Sequence, residues 1–251
     1  MGWRGSWENT VFTAFSTRKS LGNNVGWYNR WTRTLTFEHR AGLPAAAWAV
    51  GLSEPLADCQ WEVQEQQAEA EVVVQPGEPL RFSLHKTAGL QPQESSELAL
   101  YLAVNREADG ASTSVVDLQR HGWIGLLQGH RAWLREKRPS KEDWGRAGYL
   151  CNLNGFYNYF FAQARCFDTQ NTVLMTTRSP RYYVSAAFWA RDAYLWSFPG
   201  VLHVDPQAAK NFLTLGLARY WRNRANHALY IDGPDLYPGF ELDEFCSWFI
   251  A

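Results

Sequence analysis

The chain has 251 residues, 46% hydrophobic and 20% charged, which suits a folded protein of one large or two smaller domains. Its formal net charge of −1 removes any electrostatic case for nucleic acid or an acidic membrane surface as partner. No basic-then-apolar signal peptide is read, and no apolar run reaches about 18 residues, so no membrane span is expected. Cys59, Cys151, Cys166 and Cys246 form no C-x-x-C pair and no zinc-type Cys/His spacing. Reduced thiols in a cytoplasm, with no metal and no other cofactor, are the expectation. Thirteen Trp, eleven Tyr and fourteen Phe exceed what a core of this size needs, and the surplus favours a carbohydrate or peptide groove.

Residues 1 to about 118 read as β. Thr10–Ser16 and Arg33–His39 alternate polar and apolar residues, the mark of strands with one buried face. Trp61–Val74, Leu80–His85 and Glu97–Val104 continue the pattern. Gly22-Asn23-Asn24, Gln75-Pro76-Gly77 and Asp109-Gly110 are turn signals between strands. Many strands with no helical run predict an antiparallel β-sandwich over residues 1–120. Trp27-Tyr28-Asn29-Arg30-Trp31 reads as core aromatics or as an exposed patch.

From His121 the period changes. Ile124, Leu126, Leu127, Ala132, Trp133 and Leu134 fit a helix that turns basic at Arg135, Lys137 and Arg138 and breaks at Pro139-Ser140. Residues 121–145 are expected to be a helical linker, with 146–251 as the second domain. A helix over roughly Arg146–Phe167, apolar most of the way round, predicts burial on more than one side. A loop follows over 168–183. Asp205-Pro206 opens a further helix with an N-cap and Pro at its first position. Its apolar face is Ala209, Phe212, Leu213, Leu217, Tyr220 and Trp221. Residues Asn223–Gly239 read as a polar loop, with His227 a loop hydrogen-bonder. Phe240–Ala251 is the last predicted helix, and its apolar ending raises the expectation that more chain follows, or that the end packs in an oligomer.

The chemically richest stretch is Ser179–Val204. Arg191 and Asp192 are opposite charges set among Tyr182, Tyr183, Phe188, Trp189, Tyr194 and Trp196. Burying such charges is costly, so they must pair, find neighbours or face water. Aromatic faces beside convergent hydrogen-bonding groups suit a sugar ring. The structural alternative is an ion pair between helices.

Trp189-Ala190-Arg191-Asp192-Ala193 resembles the W-x-R-D-[SA] element of six-hairpin (α/α)6 glycosidases, which include glucoamylases, glycogen-debranching glucosidases and inverting exo-mannosidases. Asp232-Gly233 and Phe240-Glu241-Leu242-Asp243-Glu244 resemble that family's barrel-mouth loops. The motifs cover residues 120–251, and residues 1–120 match in architecture alone. The resemblance implies an α+β multidomain protein, a β-sandwich followed by the first helical hairpins of an incomplete barrel. It implies an inverting, exo-acting hydrolase of α-linked oligosaccharides, α-glucosidic by preference. It makes Asp243, with Glu241 as second candidate, the acid that protonates the leaving oxygen. Arg191, Asp192, Trp189, Tyr183, Asp232, Tyr237 and Glu244 become substrate binders. The structural alternative for the acidic trio is a set of carboxylates at a helix start, and for Asp232 and Asp235 an Asx turn. Inversion also needs a base about 6.5–9.5 Å from the acid. In the family that base lies in late hairpins, and this sequence offers about five helices of the twelve, so as given it is expected to lack the base and to be inactive alone. Two alternatives share these parts: a non-catalytic saccharide-binding module, and a phosphorylase active only with inorganic phosphate.

Overall fold

The computed structural model of the chain describes residues 2–7, 10–13, 16–19, 23–40, 47–53, 59–65, 70–75, 80–87, 89–165, 171–176 and 187–251. The protein is a mixed α and β structure with antiparallel sheets and several helices. Two compact units divide it, Met1–His130 and Arg131–Ala251. The expectations for Pro76-Gly77, Cys166, Tyr182 and Tyr183 lie outside the described residues.

Among the described residues the first unit holds ten strands: β1 (Gly2–Trp7), β2 (Thr10–Thr13), β3 (Ser16–Lys19), β4 (Asn23–Asn29), β5 (Thr34–Arg40), β6 (Ala47–Leu52), β7 (Gln60–Val63), β8 (Val72–Val74), β9 (Leu80–His85) and β10 (Leu100–Asn105). A five-stranded sheet has the order β10-β6-β5-β4-β8, a three-stranded sheet the order β1-β9-β7, and β2 pairs with β3. Side-chain alternation explains how the larger sheet packs. Leu35 and Phe37 on β5, with Val50 and Leu52 on β6, share one core with Val63, Leu80, Phe82 and Leu84 of the smaller sheet's β7 and β9. Ala47 and Ala49 of β6, with Tyr101 and Ala103 of β10, point the other way and meet helix α1 (Ala108–Glu136) at Ala111 and Val115. Gly51 completes that face, since a Cβ there would lie 2.6 Å from the Val115 side chain.

Four expectations for this region are corrected. Asp109-Gly110 is no turn but the first turn of α1, because Ala108, Ala111, Val115 and Leu118 place small and apolar side chains on one helical face against the sheet. Strand structure therefore ends at Asn105, short of 118. Trp61–Val74 is two strands, β7 and β8, in different sheets. The helix expected from His121 starts earlier, and Gly122, at φ 68°, breaks its helical geometry in a conformation open to glycine. Of the WYNRW stretch, Tyr28 stacks on Trp61 at 4.9 Å, whereas Trp31 is 97% exposed.

The second unit begins within the last turns of α1 and continues with α2 (Arg146–Phe161), the antiparallel pair β11 (Gln163–Arg165) and β12 (Thr172–Leu174), and α3 (Ala190–Asp192). The α3 turn runs through a π-helical segment, Ala193–Ser197, into α4 (Phe198–Val204). Then come α5 (Pro206–Tyr220), the hairpin β13 (Asn226–Leu229) and β14 (Asp235–Phe240), and α6 (Leu242–Ile250). α2 packs on α4, α4 on α5 and α3 on α6. The core they enclose is aromatic: Phe188 stacks on Tyr220 at 4.0 Å, and Tyr194, Phe198, Phe212 and Trp248 surround the pair.

Here too local pattern misleads in places. α2 stops at Phe161 because the chain turns into β11, with the Met175 amide donating to the Ala162 carbonyl. It is not buried on more than one side. Gly148 is its one buried residue, and it approaches its neighbours through Gly155, where a Cβ would crowd Pro139. The expected loop over 223–239 is largely the β13–β14 hairpin, turned at 230–234 by the Tyr230 amide donating to the Pro234 carbonyl. Phe240 ends β14, so α6 begins at Leu242. No helix among the described residues is long and apolar enough to cross a membrane.

Candidate functional site

The site grows from the entry to α3. Phe188 and Leu229 exchange backbone hydrogen bonds of 2.8 and 2.9 Å, which holds the chain extended beside β13. Extended backbone sends neighbouring side chains to opposite sides. Phe188 enters the aromatic core, and Trp189 turns to Ala187, Ala228, Leu236 and Tyr237. The helix starts at Ala190, and its early amides lack helical acceptors. The Arg191 amide finds one 53 residues away, donating to Glu244 Oε2 at 2.8 Å.

The Arg191 side chain faces the same segment. Nη1 donates to Asp243 Oδ2 and lies 3.8 Å from Glu241 Oε2, while Nη2 lies 3.7 Å from Glu244 Oε1. Glu241 in turn bonds His227 Nδ1, and the Trp189 ring meets the His227 ring edge-on at 4.5 Å. Tyr237 stands 5.9 Å from the same imidazole. One guanidinium thus serves Glu241, Asp243 and Glu244, with Asp192 close enough to add its field.

Crowding sorts these carboxyls. The Arg191 bond holds Asp243 below the usual carboxylate range, helped by the Glu244 amide donating to Asp243 Oδ1 at 3.0 Å. Glu244 goes the other way. Its side chain is 0% exposed, and burial pushes it up to about 7 although Arg191 pulls it down. Desolvation outweighs a single shared cation because Asp192 and Asp243 repel the same charge. Arg191 is raised in turn, chiefly by its bond to Asp243.

The structure therefore brings together Arg191, Glu241, Asp243 and Glu244, with Trp189 and Tyr237 beside them through His227. Arg191 and Asp192 do not form a private couple, since the partners of Arg191 come from α6 and its entry. Glu244 has no surface to offer a ligand. Asp232 is exposed on the hairpin turn, with no described bond to this cluster, and Asp235 accepts from Asn226 at 2.6 Å. Tyr183 lies outside the described residues. Tyr194 is sealed in the core, while Trp196 is 72% exposed. His227 joins the site as a strand residue. Asn226-His227-Ala228-Leu229 carries no alternation that would have placed it, and Gly233-Pro234 is the one local sign of a turn there.

No protein-family model and no curated protein sequence matches the chain. Among the described residues, no group of His, Cys, Asp and Glu side chains is arranged to hold a metal ion. What the cluster offers is one strong donor beside several acceptors, next to the half-buried rings of His227 and Tyr237; Trp189, expected as a substrate binder, is buried behind them and has no face to offer. A sugar hydroxyl, which donates and accepts, is a suitable guest for such a mixture.

Proposed function

We propose that the chain grips the terminal unit of an α-linked, preferentially α-glucosidic oligosaccharide at Arg191, Asp192, Glu241 and Asp243, as part of an inverting exo-acting glycoside hydrolase of six-hairpin type. In that reading the paired sheets of the first unit are a β-sandwich, and the helices of the second belong to an (α/α)6 toroid in the cytoplasm. The observation that carries the proposal is the partly exposed Arg191 guanidinium held by Asp243 beside the Trp189–His227–Tyr237 rings. Exposed thiols at Cys151 and Cys246, in no disulfide, agree with a reducing compartment.

The mechanism follows from the ion pair. Asp243 bound to Arg191 is ionised and unfit to protonate a leaving oxygen. A sugar hydroxyl that takes over the guanidinium releases Asp243, whose carboxyl then rises toward the range an acid needs. Binding and acid readiness are thereby linked. Maltotriose titration by calorimetry and release of p-nitrophenol from its α-glucoside test the two steps. Asp192→Ala is expected to weaken maltotriose binding at least about tenfold, the scale of one lost charge-assisted hydrogen bond. Unchanged affinity in that variant overturns the proposal.

A second reading, saccharide binding without turnover, has its own observation: Asp243 is held ionised and Glu244 is sealed. Maltotriose binding with no product from any α-glycoside, even in a protein that carries the late hairpins and their base, decides for it.

A further inference from the structure

Glu244 is an expensive way to satisfy one backbone amide. A glutamine of the same shape would offer an acceptor with no buried charge, and burying an ionised carboxylate costs several kcal/mol unless it is well paired. The glutamate does something a single amide acceptor does not. Its two oxygens address the two ends of one residue, Oε2 the Arg191 amide at 2.8 Å and Oε1 the Arg191 Nη2 at 3.7 Å. Oε1 has no hydrogen-bond partner among the described residues, so the guanidinium is its one cationic neighbour there. Asp243 and Glu241 compete for the same guanidinium from the other side.

We propose that Glu244 is the positioning residue of Arg191, tying its guanidinium to its own backbone and setting how far it leans toward Asp243 and Glu241. The consequence for ligand binding rests on the saccharide reading above; the positioning itself does not. The charged groups that act on Glu244 are Arg191 and Asp192 from α3 and Asp243 on α6 itself, with Glu241 and its partner His227 of β13 also on the Arg191 guanidinium. Among them Glu244 is the one carboxyl that burial lifts to about 7. Ionised, it shares the guanidinium. Protonated, it keeps the amide bond through Oε2 and leaves the guanidinium to Asp243 and Glu241. The pose of Arg191 thus changes with pH around neutrality, while the start of α3 stays capped.

The experiment follows Arg191 directly, by amide hydrogen exchange and by the NMR signal of its Nε–H between pH 5 and 9, in the whole chain. In the wild type the amide is protected, and the Nε–H signal moves with a midpoint near 7. Glu244→Ala is expected to speed exchange of the Arg191 amide by about tenfold to a hundredfold while α5 amides hold, as for loss of one buried hydrogen bond. Glu244→Gln, which keeps shape and an acceptor, is expected to retain amide protection and abolish the pH-dependent movement. Should Glu244→Ala not fold, the Gln variant carries the test alone. An Arg191 amide equally protected in the Ala variant, a pH-silent wild-type signal, or a movement that survives in the Gln variant each overturns the proposal. Maltotriose added to the wild type answers separately: failure to bind sinks the saccharide reading and leaves the Arg191 signals to speak for positioning.

Discussion

The two units bury polar groups in opposite ways. In the first, the polar interior consists of hydroxyls and neutral rings. Thr34 sits between Thr32 and Thr36 with oxygen contacts of 2.9 and 3.2 Å, and His39 Nδ1 lies 3.3 Å from Asn24 Oδ1. In the second, a carboxyl, that of Glu244, is fully buried along with the Ser247 hydroxyl. Apolar surface is left open in both, but at different places. In the first unit the middle of the large sheet is covered and its edge strands are not, with Leu102 of β10 and Val73 of β8 about half exposed; in the second, Tyr149, Leu153 and Tyr157 of α2, and Leu242, Phe249 and Ile250 of α6, are more than half exposed. A period-2 pattern decides which side of a strand can face a core, and the neighbouring strands decide whether it does. An aromatic-rich helix does not choose its neighbours by composition, so a high aromatic count is no measure of burial.

The largest effect that sharpens this contrast is on pH dependence. Burial keeps His39 neutral by lowering it below 6.5, so the first unit binds fewer protons folded than unfolded near neutrality. Its stability is present above 6.5 and is lost as pH falls below that value. Glu244 is raised from 4.5 to about 7, so the second unit binds more protons folded. Its stability is fully present below 4.5 and is lost as pH rises toward 7, by roughly 3 kcal/mol at most. Amide exchange of β5 and of α5, corrected for intrinsic rates, is expected to shift in opposite directions between pH 5 and 8. Glu244→Gln flattens the α5 response and leaves β5 alone. Parallel shifts in the two elements would erase the distinction.

Next in size is Gly216. A Cβ there would overlap the Tyr194 hydroxyl, and Tyr194 is fixed between Phe188, Phe198 and Trp248. Overpacking typically costs about 1–3 kcal/mol, and alanine returns about 1 in helix propensity, so Gly216→Ala is expected to cost a net of about 0–2 kcal/mol. The Tyr194 hydroxyl is buried with no hydrogen-bond partner among the described residues. Tyr194→Phe alone should therefore be neutral or stabilising in urea unfolding, and should remove most of the Gly216→Ala penalty. A penalty that persists in the double variant places the clash elsewhere.

How much of this was legible beforehand follows from the range of each interaction. β5 and β9 could be read because alternation is written in adjacent residues, and α5 because Asp205-Pro206 announces a helix within one turn. α1 was misread at its start, where Asp109-Gly110 carries turn chemistry that a three-four pattern of Ala108, Ala111 and Val115 overrides. The hairpin at 226–240 hid behind its glycines and prolines. In the site, Arg191 and the acidic trio stood out by residue type alone. That Arg191 pairs with Asp243 and not Asp192, and that Glu244 lies inside while Asp243 lies outside, depends on packing α6 against α3 across 53 residues. No local pattern carries that distance.

The smallest effect concerns the other carboxylate that caps a helix in the second unit. Asp205 Oδ1 accepts from the Ala208 amide at 3.2 Å, and its Oδ2 lies 3.2 Å from Lys137 Nζ. Cap and ion pair therefore separate by substitution. Asp205→Asn keeps the cap and discards the charge; Asp205→Ala discards both. An N-cap is worth about 1 kcal/mol, and this half-buried ion pair about as much or less. The Ala variant is expected to lose about 1–2 kcal/mol in thermal unfolding, and the Asn variant under half of it, a remainder that shrinks further in high salt. Equal losses would mean that the pair with Lys137, not the cap, anchors α5. Asp205 and Glu244 would then differ in kind as well as in depth: one holding a cation at the rim, the other an amide in the interior.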